Sequence, residues 1–341
     1  MKRFLTFDEA DSVLREQSGI CRFVGPVVLP KRGRFSDSDL TLYRPVTDMR
    51  DLVFDRKTYR SPKEFVFEIT GTLLRFVNGT VVEPPLLQTG TALFCRSCDI
   101  HAIERLDAIF LRNGTDPDPY YAALRQSLHL ILVECSEPFD SCFCVAMGTG
   151  HTDTYDLAIR PVAGGLFIDC ASPWANTVFG SAGVEHDWTL QYPGRNGNDV
   201  TVPATTAMPP ELFTAPMWEE YSRRCIACGR CNTSCPTCSC FSVFDTPVDG
   251  APGPFTERKR IWDGCHLDGF TDMAGGAAVR KEYGARMRFK TFHKIYDYRK
   301  RFGRNMCVGC GRCDDVCPEY ISFANCISRV AALIDESEVR S

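Results

Sequence analysis

The chain has 341 residues, 44% hydrophobic and 24% charged, which excludes a disordered or fibrous protein and suits a soluble one of about two or three domains. A formal net charge of −4 lacks the basic surplus of a nucleic-acid binder, and no run of about eighteen apolar residues marks a membrane span. Nineteen cysteines is far above ordinary usage; in a reducing compartment such a surplus argues for metal over disulfides, and the odd count agrees.

The first segment, MKRFLTFDEADSVLREQS, reads as a charged amphipathic helix without an apolar leader or cleavage site, so the expected location is the cytoplasm. From residue 1 to about 200 cysteines are sparse. FVFEIT (65–70), HLILVEC (129–135) and DLAIRPVAGGLFIDC (156–170) carry the β-branched and aromatic runs of strands. Between them DIHAIERLDAIFLR (99–112) places Ile100, Ile103, Leu106, Ile109 and Phe110 on one helical stripe, and DPYYAALRQS (118–127) opens with the Asp-Pro of a helix start. YPGRNGNDVTVPATTAMPPELF (192–213) is rich in Pro, Gly, Asn and Thr and reads as a linker. The expected division is therefore an N-terminal α/β-type domain, residues 1–212, and a mostly α-helical domain, residues 213–341, α+β overall. The second domain holds two cysteine cassettes. An amphipathic ERKRIWDGCHLDGFTDMA and a basic helix KEYGARMRFKTFHKIYDYRKRF lie between them, and a final helix SFANCISRVAALIDESEV follows.

CIACGRCNTSCPTCSC begins at Cys225 and CVGCGRCDDVCPEY at Cys307. Both contain C-x2-C-x2-C-x3-C-P, the spacing of paired [4Fe–4S] clusters. Three thiolates on a tight glycine-containing turn can face one cube while backbone N–H groups donate to its sulfurs, and Gly229 and Gly311 permit the close approach. The fourth cysteine of each run ligates the other cluster in two-cluster ferredoxins. Crosswise assignment gives Cys225, Cys228, Cys231 and Cys317 to the first cluster, and Cys307, Cys310, Cys313 and Cys235 to the second. Zinc needs only a tetrahedron and usually takes paired C-x2-C knuckles, so it explains the spacing less well. The wide separation of the cassettes favours the helical, fumarate-reductase-like ferredoxin arrangement. Cys238 and Cys240 are alternatives to Cys235, which alone precedes proline, while Cys265 and Cys326 read as packing residues. Arg286, Arg288, Lys290, His293 and Lys294 of the basic helix form either a solvated face or a source of positive potential for the clusters.

In the N-terminal half, Cys95 and Cys98 end one expected strand, and Cys135, Cys142 and Cys144 follow another. Strand ends gather sites in open α/β folds. If the two strands are neighbours, Cys98, Cys135, Cys142 and Cys144 are candidate ligands of a third cluster or of zinc, with Cys95 a buried spare. No catalytic residue is assigned. No G-x-G-x-x-G lies behind a strand, so NAD binding is not indicated; MGTG (147–150) and GSAG (180–183) are short turns. His101 and His151 lack a companion at ligand spacing.

The order FCRSCDIHAIERLDAIFL, DPYYAALRQ, CSEPFDSCFC, CIACGRCNTSCPTCSC, WDGCHLDGFTDMAGG, RMRFKTFHK and CVGCGRCDDVCP spans nearly the whole chain. It resembles the iron–sulfur β subunits of multisubunit hydrogenases and, most of all, the iron–sulfur electron-transfer subunits of anaerobic sulfite reductases. The resemblance implies a non-catalytic electron-relay subunit, passing electrons from an NADH-oxidising flavin subunit to a sirohaem subunit that reduces sulfite to sulfide. The alternatives are the hydrogenase β-subunit role and a stand-alone iron–sulfur sensor.

Overall fold

In a computed structural model the structure describes residues 1–33, 35, 37–85, 89–204, 208–249 and 254–340. The chain opens with a strand, β1 (Lys2–Thr6), before helix α1 (Phe7–Gln17). The break from the expected single helix falls at Thr6, whose hydroxyl accepts from Glu9 N while the Glu9 carboxylate accepts from Thr6 N. This reciprocal cap fixes the helix start. Next come β2 (Cys21–Leu29), β3 (Leu40–Pro45), β4 (Thr70–Val77), β5 (Thr80–Val82), β6 (Gly90–Cys95), α2 (Ser97–Arg112) and α3 (Pro119–Gln126). Then follow β7 (Leu128–Val133), β8 (Leu157–Val162), β9 (Gly165–Cys170), α4 (Pro173–Phe179) and β10 (Val184–Glu185).

The large sheet has the order β10-β1-β9-β8-β7-β6-β2-β3. Its centre, β2, β6, β7 and β8, is parallel, and the outer pairings are antiparallel. Both faces of the centre are covered, as a parallel sheet requires. Ala92, Phe94, Ile131 and Val133 pack on the side of α1 and α4, while Leu93, Cys95, Leu130 and Leu132 pack on the side of α2 and α3. The Asp118-Pro119 start of α3 is present, with Asp118 Oδ1 accepting from Tyr121 N at 2.8 Å.

Of the FVFEIT run, expected to be a strand, only the last residue, Thr70, is in one; Phe65 ends a 3-10 turn, Pro62–Phe65. Val66 and Phe67 are fully buried on the irregular approach to β4, where Phe67 stacks on Trp262 with ring centroids 6.0 Å apart. Burial from all sides, with no strand geometry, accounts for that apolar stretch. Residues 205–207 of the expected linker lie outside the described residues.

After α5 (Met217–Arg224) and a one-turn helix α6 (Arg230–Thr233) comes a hairpin, β11 (Phe241–Val248) and β12 (Phe255–Trp262). ERKRIW, the start of an amphipathic segment in a domain expected to be mostly helical, is the body of β12. It adds antiparallel to β4 from Thr256↔Phe76 to Ile261↔Thr70, with a register shift between Arg258 and Lys259, forming the sheet β11-β12-β4-β5 across the expected boundary at 212/213. Tertiary pairing decides the strand there, as context does for strand formation generally: Arg260 pairs with Asp118 at 2.5 Å and lies over the Phe67 ring at 4.9 Å. The basic helix runs as α7 (Tyr283–Phe292), a π-helical turn His293–Asp297 and α8 (Tyr298–Phe302), followed by one-turn α9 (Arg312–Asp315) and α10 (Phe323–Arg340). Phe143 and Met147 of the N-terminal half enter the core formed by α5, α7 and α10, so the two halves share a continuous packed interface. Among the described residues no helix is long and apolar enough to cross a membrane.

Candidate iron–sulfur centres

Both cassettes coil alike. Ala227 (φ 53°) and Gly229 (φ 67°) in the first match Gly309 (φ 64°) and Gly311 (φ 69°) in the second. These left-handed residues turn the chain inward, and Ala227 N and Gly309 N donate to Cys225 Sγ and Cys307 Sγ at 3.4 and 3.5 Å. Cys225, Cys228 and Cys231 line one cavity together with Cys317. Cys307, Cys310 and Cys313 line a second together with Cys235. The two crosswise sets read from the sequence are thus each gathered around one space, and Cys313, Lys290 and Phe323 form the wall between. The thiols ring each cavity, and among the described residues no three metal-binding side chains meet at the spacing of a single ion. Four thiols around a space, with N–H groups aimed at sulfur, fit a cube with iron at each corner thiolate.

Burial pushes the Cys307 thiol up to about 12 and the Cys310 thiol up to about 11. Thiolates at this depth need cations beside them. Lys290 and Lys294 supply two, from the same face of the basic helix. Both are buried; burial opposes their charge, but the surrounding cysteines outweigh it and raise both pKa values. Lys290 Nζ donates to Cys231 O at 3.4 Å and Lys294 Nζ to Thr237 Oγ1 at 2.8 Å, and that hydroxyl lies 3.5 Å from Cys235 Sγ. The Cys238 thiol bonds to Cys235 and, together with Lys294, holds Cys235 well below the usual thiol range. Elsewhere on the helix Arg286 pairs with Asp268 at 2.7 Å, Arg288 donates to Phe213 O, and His293 stacks on Phe289. Cys265 and Cys326 are buried, and Cys326 joins the helical core.

His266, which sequence reasoning passed over, lines the first cavity with Nδ1 3.8 Å from Cys225 Sγ. Its buried Nε2 has no partner among the described residues. Burial, then Lys290 and Arg286, pull its pKa to about 3, so the imidazole is neutral near pH 7. The sequence signal was its position directly after Cys265, between the cassettes.

The N-terminal cysteines lie against the second cavity. β6 and β7 are adjacent and parallel, with Cys95 opposite Leu132. Cys98, in the first turn of α2, packs with Cys144, Ala102, Val308 and Cys310, and Cys142 Sγ donates to Cys310 O at 3.5 Å. Burial, then Cys142 and Cys135, push the Cys144 thiol up to about 12, so these thiols feel one another. Burial also raises Cys135, with Arg96 opposing it. Cys95 turns instead into the core beneath α2 and α3. Phe143 N donates to Gly309 O at 2.7 Å. A Cβ on Gly309 would stand 2.4 Å from Phe143 O, and one on Gly311 2.2 Å from Ser141 O. The MGTG turn supports the same contact, Thr149 Oγ1 donating to Val308 O at 2.6 Å, and Lys57 Nζ donates to Cys310 O at 3.3 Å. Beneath lies a fully buried ion pair, Arg312–Asp99 at 2.7 Å with side-chain exposures of 1% and 0%, which Tyr43 Oη and Thr58 Oγ1 complete. His101 bonds to His151 O at 2.7 Å and to Glu104 at 3.0 Å.

Residues 224–321 match the family described as 4Fe-4S dicluster domain. Over 328 residues, 91% of this chain and 92% of the relative, the sequence is 28% identical to sulfhydrogenase 2 subunit beta of Pyrococcus furiosus. No solved structure matches. The cassette geometry, the dicluster match and a likeness running through both halves converge on an iron–sulfur protein that carries multiple [4Fe–4S] clusters and transfers electrons.

Proposed function

We propose that the chain is the electron-relay subunit of a multisubunit oxidoreductase and performs no substrate chemistry of its own. Cys225, Cys228, Cys231 and Cys317 hold one [4Fe–4S] cluster, Cys307, Cys310, Cys313 and Cys235 a second, and Cys98, Cys135, Cys142 and Cys144 a third. The observation that carries this reading is the pair of thiol-ringed cavities sharing one wall, with the N-terminal thiols against Cys310. Bound there, clusters of this type each exchange one electron at a time. The protein's own residues supply the thiolates, turn N–H groups toward sulfur, exclude water through Phe323, Phe143 and Val308, and set the local charge.

The order that follows is linear: N-terminal site, second cavity, first cavity. Cys228 is exposed and its neighbour Ile226 is 57% exposed, so the first cavity is the end nearest solvent, where electrons pass to or from a partner. The name of the similar Pyrococcus furiosus subunit favours a hydrogenase-type partner. The reading in which a flavin protein is the donor and a sirohaem protein the sulfite-reducing acceptor rests on the resemblance of sequence blocks and stands second.

Anaerobic purification of the native complex tests both levels. About twelve irons and as many acid-labile sulfides per chain are expected for three cubes. About eight would remove the N-terminal site from the relay, and fewer than about four would sink it altogether. Nickel in the co-purifying subunits identifies the hydrogenase-type partner, and sirohaem identifies the sulfite-reducing one.

A further inference from the structure

Buried ammonium groups are normally paired, because an unpaired charge out of water costs several kcal/mol. Lys290 and Lys294 depart from that rule. Both are at most 3% exposed, and neither forms an ion pair with a carboxylate among the described residues; the Lys290 ammonium meets Cys231 O and the face of the Phe323 ring, 5.2 Å to its centroid, and that of Lys294 meets Thr237 Oγ1 and Met306 Sδ. The anions they face are the cysteines of the two cavities. Lys290 lines both cavities, whereas Lys294 lines only the second.

We infer that Lys290 and Lys294 are the counter-charges of the clusters and set their reduction potentials unequally, Lys290 acting on both clusters and Lys294 on the one held by Cys235, Cys307, Cys310 and Cys313. The inference rests on the relay reading above. Each reduction adds one negative charge to a site that already holds four thiolates, and a fixed cation beside it favours the reduced form. Removing the cation lowers the potential. Lys294 acts through a second route as well: its bond to Thr237 Oγ1 occupies a lone pair of that oxygen and leaves the hydroxyl proton free to point at Cys235 Sγ. A hydrogen bond to a ligand sulfur raises a cluster potential in the same sense.

The test is a redox titration followed by electron paramagnetic resonance on the anaerobically purified full chain, with iron and sulfide counted on the same samples. Lys290→Met is expected to lower both cassette potentials, each by at least the tenfold change in reduced-to-oxidised ratio that corresponds to about 59 mV for one electron. Lys294→Met should lower that of the second cluster alone, and Arg288→Met, which removes a cation of the same helix lining neither cavity, should lower neither. Lys290→Arg should restore the wild-type values. If a Met variant takes up no iron, Lys290→Gln and Lys294→Gln enter the same titration. Fully loaded variants with wild-type potentials overturn the inference while leaving the relay reading intact, and a wild-type chain without clusters removes the relay reading itself. Equal shifts of both clusters in the Lys294 variant overturn the unequal assignment.

Discussion

The two cassettes share a spacing, a left-handed coil and a Gly-Arg-Cys ending, yet one is a surface feature and the other is interior. In the first, Cys228 is exposed and Ile226 faces solvent. In the second, the corresponding Cys310 and Val308 are buried, and the loop 141–144 presses on the backbone so closely that neither glycine could bear a side chain. The arginine before the third cysteine follows the same division. Arg312 is buried against Asp99, whereas Arg230 is only half-buried. One motif thus yields a terminal position and an inner one, and the difference comes from what the N-terminal half covers.

Breaking the inner position should have the largest effect. Cys310→Ala is expected to lose about four irons per chain and to stop electrons passing between the N-terminal site and the first cavity. Cys228→Ala loses as many but leaves that inner passage intact. Iron counts with spectra of the partly reduced protein distinguish the two, and equal behaviour would show that the cassettes are interchangeable. Next in size is the ion pair. Asp99→Ala strands a buried guanidinium and should cost about 3–5 kcal/mol in denaturant unfolding of the loaded protein, whereas Arg230→Ala should stay within about 1 kcal/mol. The smallest contrast lies in the backbone. Gly309→Ala adds a left-handed penalty of about 1–2 kcal/mol and drives a methyl group into Phe143 O, loosening the loop that carries Cys142 and Cys144. Ala227→Gly, at the matching position, should gain no more than about 1 kcal/mol. A neutral Gly309→Ala would mean that the loop does not hold the second cassette as described.

The cassette thiols were legible because ligand spacing is a local property: C-x2-C-x2-C fixes a short coil regardless of what surrounds it. The N-terminal set was legible in part, since Cys98 and Cys135 follow strands that could be recognised as neighbours-to-be. The hairpin 241–262 was not. Its alternation is blurred by Arg258, Lys259 and Arg260, and what makes it a strand is β4, which lies in the other half of the chain. His266 and Asp99 were equally invisible, because a histidine or aspartate acquires meaning only from the cavity or guanidinium beside it. Lys290 and Lys294 could be read as part of a basic helix, but not as residues whose ammonium groups leave water to line the cavities.

By itself, then, the sequence determined the cofactor class, the ligand cysteines as candidates and helices such as α2, α3 and α10, since each follows from spacing or periodicity within a few residues. Only the tertiary structure decided that cassette one is outer and cassette two inner, that the N-terminal thiols meet Cys310, and that Lys290 and Lys294 stand beside the cavities without carboxylate partners among the described residues. Those outcomes depend on burial and on partners far apart in the chain, and a charge or a thiol takes its energy from the medium and the neighbours around it.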